Sequence, residues 1–246
     1  MRLPTPCLLL LGLLAPGLAA AETAPRVFMA GDSTMADKPL DGPERGWGQL
    51  LPKFFSDPAI VHNHAVNGRS TKSFIDEGRW QKIVDELQAG DFVIIQFSHN
   101  DEKSEDPKRY TDPATSFRDN LRRFIREARE KKASPILATP VCRRKFNAEG
   151  NLIDTHGAYP DAMRAVAAEE KVPLLELNRA TAALLTEEGP EPSKKFFMWF
   201  SPGEHPKLPK GVQDDTHFVE AGATKVAGLA VAQLREQKSP LVRWLK

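Results

Sequence analysis

Cysteine is nearly absent: the 246-residue chain holds two, Cys7 and Cys142. Two cysteines cannot build a disulfide scaffold, so stability must come from a hydrophobic core, for which the length is ample. An excess of either charge is absent too. Lys and Arg number 34 against 33 Asp and Glu, a formal net charge of +1. That removes the usual electrostatic footprint of a nucleic-acid binder, and no nucleic-acid partner is expected. No Walker A and no Gly-x-Gly-x-x-Gly pattern appears, so nucleotide binding has no support. No serine stands in a Gly-x-Ser-x-Gly elbow, which argues against the α/β-hydrolase fold. The apolar run from Leu8 to Leu18, interrupted by Gly12, Pro16 and Gly17, is too short to span a bilayer.

What is present reads as a soluble globular protein, with 41% hydrophobic and 27% charged residues. Arg2, the short apolar run and Ala19-Ala20-Ala21 before Glu22 have the layout of a cleavable secretory signal peptide over residues 1–21. Export to the periplasm or the medium is therefore expected, with no membrane attachment after cleavage. No lipid-attachment motif precedes Cys7. A cut after Ala21 removes Arg2 and Cys7, which balances the charges and leaves Cys142 as the sole thiol. The remainder, 22–246, shows no internal repeat or boundary and is expected to form a single domain.

Within it, apolar runs alternate with helical patterns. Arg26–Ala30, Ala59–Val66, Asp91–Phe97, Pro135–Thr139 and Val172–Leu177 predict strands, the third being continuous enough to be buried on both faces. Phe117, Leu121, Phe124, Ile125 and Ala128 fall on one face of a helix that Ser116 would cap. Asp161–Lys171 and Val219–Gln237 also read as helices. Alternation of this kind predicts an α/β domain, a parallel sheet with helices on both faces. The segment 189–211 is an unusual insertion rich in Pro and Lys; its Phe196, Phe197, Trp199 and Phe200 are expected to pack on the body.

Ligands of open α/β sheets bind beyond the carboxyl ends of the strands. Small polar residues follow several runs: Gly31-Asp32-Ser33-Thr34, Asn67-Gly68-Arg69-Ser70, Ser98-His99-Asn100-Asp101 and Cys142-Arg143-Arg144, with Asp214-Asp215-Thr216-His217 before the last helix. Any one could be a turn or a cap; their convergence is the signal. Ser33 would be a nucleophile, His217 the base that activates it, and Asp214 the carboxylate that orients the imidazole. The backbone N–H groups of Ser33 and Gly68 and the amide of Asn100 are candidate donors to a tetrahedral oxyanion. Asp32 would brace its loop, and His99 and Asp101 would hold Asn100. His156 lacks a carboxylate three residues earlier and reads as structural or rim-positioning. His62 and His64 could face one way on a strand, but no further ligands are apparent, so no metal is expected. Cys142 reads as a structural thiol.

These blocks, in this order, resemble the SGNH (GDSL) hydrolases. RGWGQLL at 45–51, GRSTKSFIDEGRW at 68–80, IIQFSHNDEKSEDPKRYTDP at 94–113, ATPVCRRKFNAEGNLIDTHGAYP at 138–160 and DDTHFVEAGATKVA at 214–227 are similar to rhamnogalacturonan acetylesterases. The resemblance implies a flavodoxin-like three-layer α/β/α sandwich with a five-stranded parallel sheet. It also implies serine-dependent removal of acetyl groups from a polysaccharide, without cofactor. Ser33, Asp214 and His217 take the catalytic positions, and Ser33, Gly68 and Asn100 the oxyanion positions. Ser98 stands where some members have glycine. Galacturonate carries a carboxylate, so Arg69, Lys72, Arg143, Arg144 or Lys145 is expected to hold it, against an alternative of internal ion pairing. Other readings are a broader carbohydrate esterase acting on xylan or small acetyl esters, a lipase or thioesterase, a binuclear metallophosphoesterase (disfavoured by Thr34 at the place of a ligating histidine), and a polysaccharide-binding module. The oligomeric state is left open.

Overall fold

The computed structural model describes residues 24–246; the expected signal peptide at 1–21 and Cys7 lie outside the described residues. The strands are β1 (Val27–Gly31), β2 (Glu44–Arg45), β3 (Val61–Asn63), β4 (Phe92–Gln96), β5 (Ser134–Ala138), β6 (Leu174–Leu175), β7 (Phe197–Phe200) and β8 (Val212–Val219). The helices are α1 (Trp47–Leu50), α2 (Thr71–Asp76), α3 (Arg79–Glu86), α4 (Ser116–Glu130), α5 (Tyr159–Glu170), α6 (Leu177–Glu188) and α7 (Glu220–Glu236). Among the described residues no helix is long and apolar enough to cross a membrane.

The main sheet has five strands in the order β3-β1-β4-β5-β6, and every neighbouring pair is parallel. Side chains alternate across it as the pleat requires. Val27, Met29, Ile94, Ile136 and Ala138 point into one core layer with Trp47 of α1, Leu177 and Leu185 of α6, and Val226 and Leu234 of α7. Phe28, Ala30, Val93, Ile95 and Leu137 point into the other, against Phe74, Trp80, Phe124 and Met163 of α2 to α5. This is the expected three-layer sandwich. Burial on both faces explains why β1 and β4 are apolar without alternation. The chain leaves β1 for β3 at one edge and then crosses back to β4, so the order reverses beside β1. At such a reversal the adjoining loops diverge and open a crevice above the carboxyl ends.

Two local expectations need correction. Ser116 is the first residue of α4 rather than its cap; its Oγ instead accepts from the Asp112 N–H at 2.9 Å. The strand predicted over 59–66 shrinks to β3, because Pro58–Ile60 forms a single 3-10 turn ahead of it.

The sequence reading also missed a second, antiparallel sheet of three strands, β2-β8-β7. β7 is the aromatic part of the 189–211 insertion. Phe196 and Phe197 are buried as expected, whereas Trp199 and Phe200 remain partly exposed. The insertion is pinned to α7 at Gly222, where a Cβ would stand 2.1 Å from the Phe196 carbonyl oxygen. Gly222→Ala adds helix propensity of about 1 kcal/mol, but overpacking against a backbone carbonyl costs ~1–3 kcal/mol. The steric term is expected to win, lowering the midpoint of urea unfolding.

Candidate active site

The site is assembled from loops that leave the carboxyl ends of β1, β3 and β4 and from the middle of β8. Ser33 stands two residues beyond β1. Its Oγ lies 2.8 Å from His217 Nε2, and His217 Nδ1 lies 2.7 Å from Asp214 Oδ2. The structure thus brings the expected nucleophile, base and orienting carboxylate into one hydrogen-bonded row, across 184 residues of chain.

Asp214 and His217 were expected in a turn before the last helix; they lie in β8 instead. In a flat strand, residues three apart point to opposite faces, so a carboxylate and an imidazole at this spacing could not meet. A bulge resolves this. Phe197 faces Phe218 and the next residue, Met198, faces Asp214, which leaves Asp215, Thr216 and His217 without partners in β7. The loop so formed turns back on its own carboxylate. Asp214 Oδ1 accepts from the backbone N–H of Thr216 at 2.7 Å and of His217 at 3.0 Å. Asp215 anchors the bulge from behind: its Oδ1 accepts from Arg144 Nε at 2.7 Å and from the Trp199 indole at 2.8 Å. Its carbonyl accepts from the Arg144 N–H. Bulges that re-aim side chains are frequent next to active sites.

Charge within the row is set by these contacts. Burial alone would push the Asp214 carboxyl up, but the His217 bond and charge and the two backbone donors outweigh it and hold it down at about 2. Burial also works against the charged form of His217; the Asp214 bond and charge outweigh it and raise the imidazole above its ordinary value. Glu44 adds to that rise and Lys38 opposes it. Lys38 is itself buried and paired with Glu44 Oε1 at 2.6 Å.

Gly68 and Asn100 border the same crevice. Gly68 has φ of +75°, a left-handed conformation that suits glycine. Its backbone N–H, like that of Ser33, donates to no acceptor among the described residues. Asn100 is oriented by two contacts: Nδ2 donates to the Arg69 carbonyl at 3.2 Å, and Oδ1 accepts from Arg109 Nη1 at 3.4 Å. That leaves the second Nδ2 hydrogen available to a ligand. Arg109, held by Asp106 at 2.5 Å, carried no signal in the sequence.

Asp32 braces its loop as expected, accepting from the backbone N–H of Thr34 at 2.9 Å and its hydroxyl at 2.8 Å. His99 and Asp101 act differently from the expectation that they hold Asn100. His99 Nδ1 meets Asp32 Oδ2 at 3.2 Å. Burial pushes the His99 imidazole below its ordinary value, against the raising effect of the Asp32 contact. Asp101 accepts from Thr71 and Thr111, and its burial raises its pKa to about 7. His156 is buried and structural, with Nδ1 2.5 Å from Glu102 Oε1 and Nε2 2.8 Å from the Val141 carbonyl. Burial alone would raise Glu102, but His156, His99 and Arg143 outweigh it and hold it at about 2. Ser98, at the place of a glycine, has φ of 141°; its hydroxyl donates to Glu102, a bond that offsets part of the strain of that conformation.

Of the cations expected to hold a uronate, Arg69, Lys72, Arg143 and Arg144 are engaged within the protein, whereas the Lys145 side chain is exposed and makes no hydrogen bond or ion pair among the described residues. Arg69 pairs with Glu77 at 3.0 Å, Lys72 with Asp76 at 2.6 Å, and Arg143 with Glu102 at 2.9 Å. Arg144 is 7% exposed, bonded to Asp215 and to the Pro190 carbonyl, and stacked 4.6 Å from the Trp199 ring centre. Its partners give it the internal ion pairing that stood as the alternative, as a strut of the bulge. His62 and His64 both lie against the Phe28 ring, and no cluster of three ligating side chains occurs among the described residues. The Cys142 thiol is pushed up to about 11 by burial. The electrostatics of the row predict that the His217 imidazole titrates above about 6.5, and that Asp214→Asn moves it downward. Histidine titration by NMR checks both.

Comparison with known proteins accords with this geometry. The model of the GDSL-like lipase/acylhydrolase family matches residues 29–225. The rhamnogalacturonan acetylesterase RhgT of Bacillus subtilis is 46% identical over 217 residues, covering 88% of this chain and 92% of that protein. The crystal structure of YxiM from Bacillus subtilis, 31% identical, superposes with a TM-score of 0.75 over 89% of this chain and 58% of that one. The acetylxylan esterase Axe2 of Geobacillus stearothermophilus shares the fold, at a TM-score of 0.61 and 16% identity, covering 86% of this chain and 94% of that one. With its sheet order and the hydrogen-bonded row between the loop after β1 and β8, the chain belongs to the GDSL-like lipase/acylhydrolase family and is a carboxylic ester hydrolase.

Proposed function

We propose that the protein is an exported esterase that removes acetyl groups from acetylated rhamnogalacturonan through an acetyl-enzyme intermediate. The observation that carries the mechanism is the Ser33–His217–Asp214 row. The polymer is suggested by the 46% identity to RhgT over 88% of this chain. Export rests on the signal-peptide layout of residues 1–21.

In this mechanism His217 Nε2 takes the proton of Ser33 Oγ as the oxygen attacks the acetyl carbonyl carbon. The carbonyl oxygen becomes an oxyanion and accepts from the Ser33 and Gly68 N–H groups and from Asn100 Nδ2. Donors already fixed in place need no reorganisation at that moment, which is the source of their effect. The imidazolium, stabilised by Asp214, then passes its proton to the sugar oxygen. The ester C–O bond breaks, and the deacetylated sugar leaves. Water repeats the sequence on the acetyl-Ser33 ester, with His217 again as base, to release acetate and regenerate the hydroxyl.

Acetate release from acetylated rhamnogalacturonan and acetylated xylan tests this directly. Ser33→Ala is expected to lower the rate by about 10⁴-fold or more, with chelator having no effect. Release that survives Ser33→Ala would overturn the mechanism, and a preference for xylan would overturn the substrate. Arg144→Ala is expected to reduce kcat on a small aryl acetate and on the polymer alike, since the bulge that aims His217 loses its anchor. A defect confined to the polymer would return Arg144 to substrate binding.

A further inference from the structure

The insertion forms a cleft of about 580 Å³ against the start of β8, lined by Lys194, Trp199, Phe200, Glu204, Lys210 and Gln213 among others. It adjoins the row of reacting groups: Gln213 is the residue before Asp214, and Val212 to Asp214 spans about 7 Å of strand. The cleft thus begins one residue along β8 from Asp214, near enough for a polymer bound at Ser33 to extend toward it.

The walls of the cleft are fixed. Trp199 is tied to Asp215 through its indole N–H and has Arg144 and Lys194 within 4.6 Å and 4.3 Å of its ring centre. The outer end of the insertion is tethered by the ion pair of Lys207 with Asp41, in the segment that follows the Ser33 loop. The charges in the cleft are unequal in their engagement. Glu204 accepts from the Ser201 N–H at 2.6 Å, and Lys194 pairs with Glu191 at 2.8 Å. Lys210 is exposed and, like Lys145, has no hydrogen-bond or ion-pair partner for its side chain among the described residues. In this it differs from Arg69, Lys72, Arg143 and Arg144. An apolar, part-buried wall beside an uncompensated ammonium suits a sugar ring that carries a carboxylate.

We propose that this cleft is a glycan subsite that holds a uronate unit of the polymer, distant from the acetylated one, with Lys210 pairing its carboxylate and Phe200 forming the wall against its ring, beside the cation-covered Trp199. The proposal rests on the rhamnogalacturonan reading of the preceding section.

Two measurements on the full chain decide it: the ratio of kcat/KM for acetylated rhamnogalacturonan to that for a small uncharged aryl acetate, and calorimetric titration with a deacetylated rhamnogalacturonan oligosaccharide and its carboxyl-reduced counterpart. Lys210→Glu replaces an exposed cation, so folding is not at stake. It is expected to lower the rate ratio and the oligosaccharide affinity about fivefold, the scale of one exposed ion pair. The effect is expected to appear mainly in KM, to disappear with the carboxyl-reduced sugar, and to be restored by Lys210→Arg. An unchanged ratio and affinity in Lys210→Glu would overturn the subsite, as would an equal loss with the carboxyl-reduced sugar. If the wild type releases no acetate from rhamnogalacturonan, the proposed function fails, and the titration still decides the subsite: affinity that depends on Lys210 and the carboxylate supports it, and its absence overturns it.

Discussion

A buried carboxylate, Asp32, holds the two loops on which the site stands. It is inaccessible to solvent and sits beside Ser33 in sequence. Its partner His99 sits beside Asn100. Their contact at 3.2 Å therefore couples the loop that carries the hydroxyl to the loop that carries the amide. Burial raises the cost of charging Asp32, but the His99 and Thr34 contacts outweigh it and hold the carboxyl below its ordinary range. The same network continues into the core: Gln96 at the end of β4 donates to Thr34 Oγ1 at 2.9 Å and accepts from the Trp47 indole at 2.5 Å. A partly satisfied polar cluster at this depth would be costly. The contacts of Gln96, Thr34, Asp32 and His99 Nδ1 tie the loops to the sheet, while the buried His99 Nε2 has no hydrogen-bond partner among the described residues.

The other half of the row comes from a separate structure. The antiparallel sheet β2-β8-β7 presents His217 to Ser33, and the 189–211 insertion supplies its outer strand, β7. Four features serve one end here. The bulge turns Asp214 and His217 to the same side, Asp215 fixes the bulge, Arg144 fixes Asp215, and Trp199 covers Arg144. The arginine is thus buried among groups that satisfy it, which removes it from the surface a substrate would touch. The same insertion carries the part-buried Trp199 and the exposed Lys210, so one segment both supports the bulge that holds His217 and lines the cleft beside it.

Much of the architecture was legible because burial on both faces leaves a strong mark. A run such as Phe92–Gln96 is buried throughout, and the five apolar residues on one face of α4 repeat at helical spacing. Ser33, Gly68, Asn100, Asp214 and His217 were also legible, as short polar blocks following apolar runs and as motifs resembling a known family. The chain composition of these segments decides where loops must lie above the sheet. What a linear reading could not supply was the conformation of 214–217. Strand and turn place side chains three residues apart differently, and only the register of β7 against β8 selects between them.

The sequence by itself determined the alternation of apolar runs and amphipathic helices, hence the layered sheet, and the chemical types gathered beyond its strand ends. Tertiary structure decided which of those groups act on one another. His99 turned out to serve Asp32 rather than Asn100, and Arg144 serves Asp215 rather than a ligand. The reason is physical: hydrophobic periodicity is local and survives in the one-dimensional string, whereas the pairing of a charge depends on which carboxylate the fold brings within a few ångströms. An arginine looks the same in sequence whether it is a strut or a binding group, and only its partners distinguish the two.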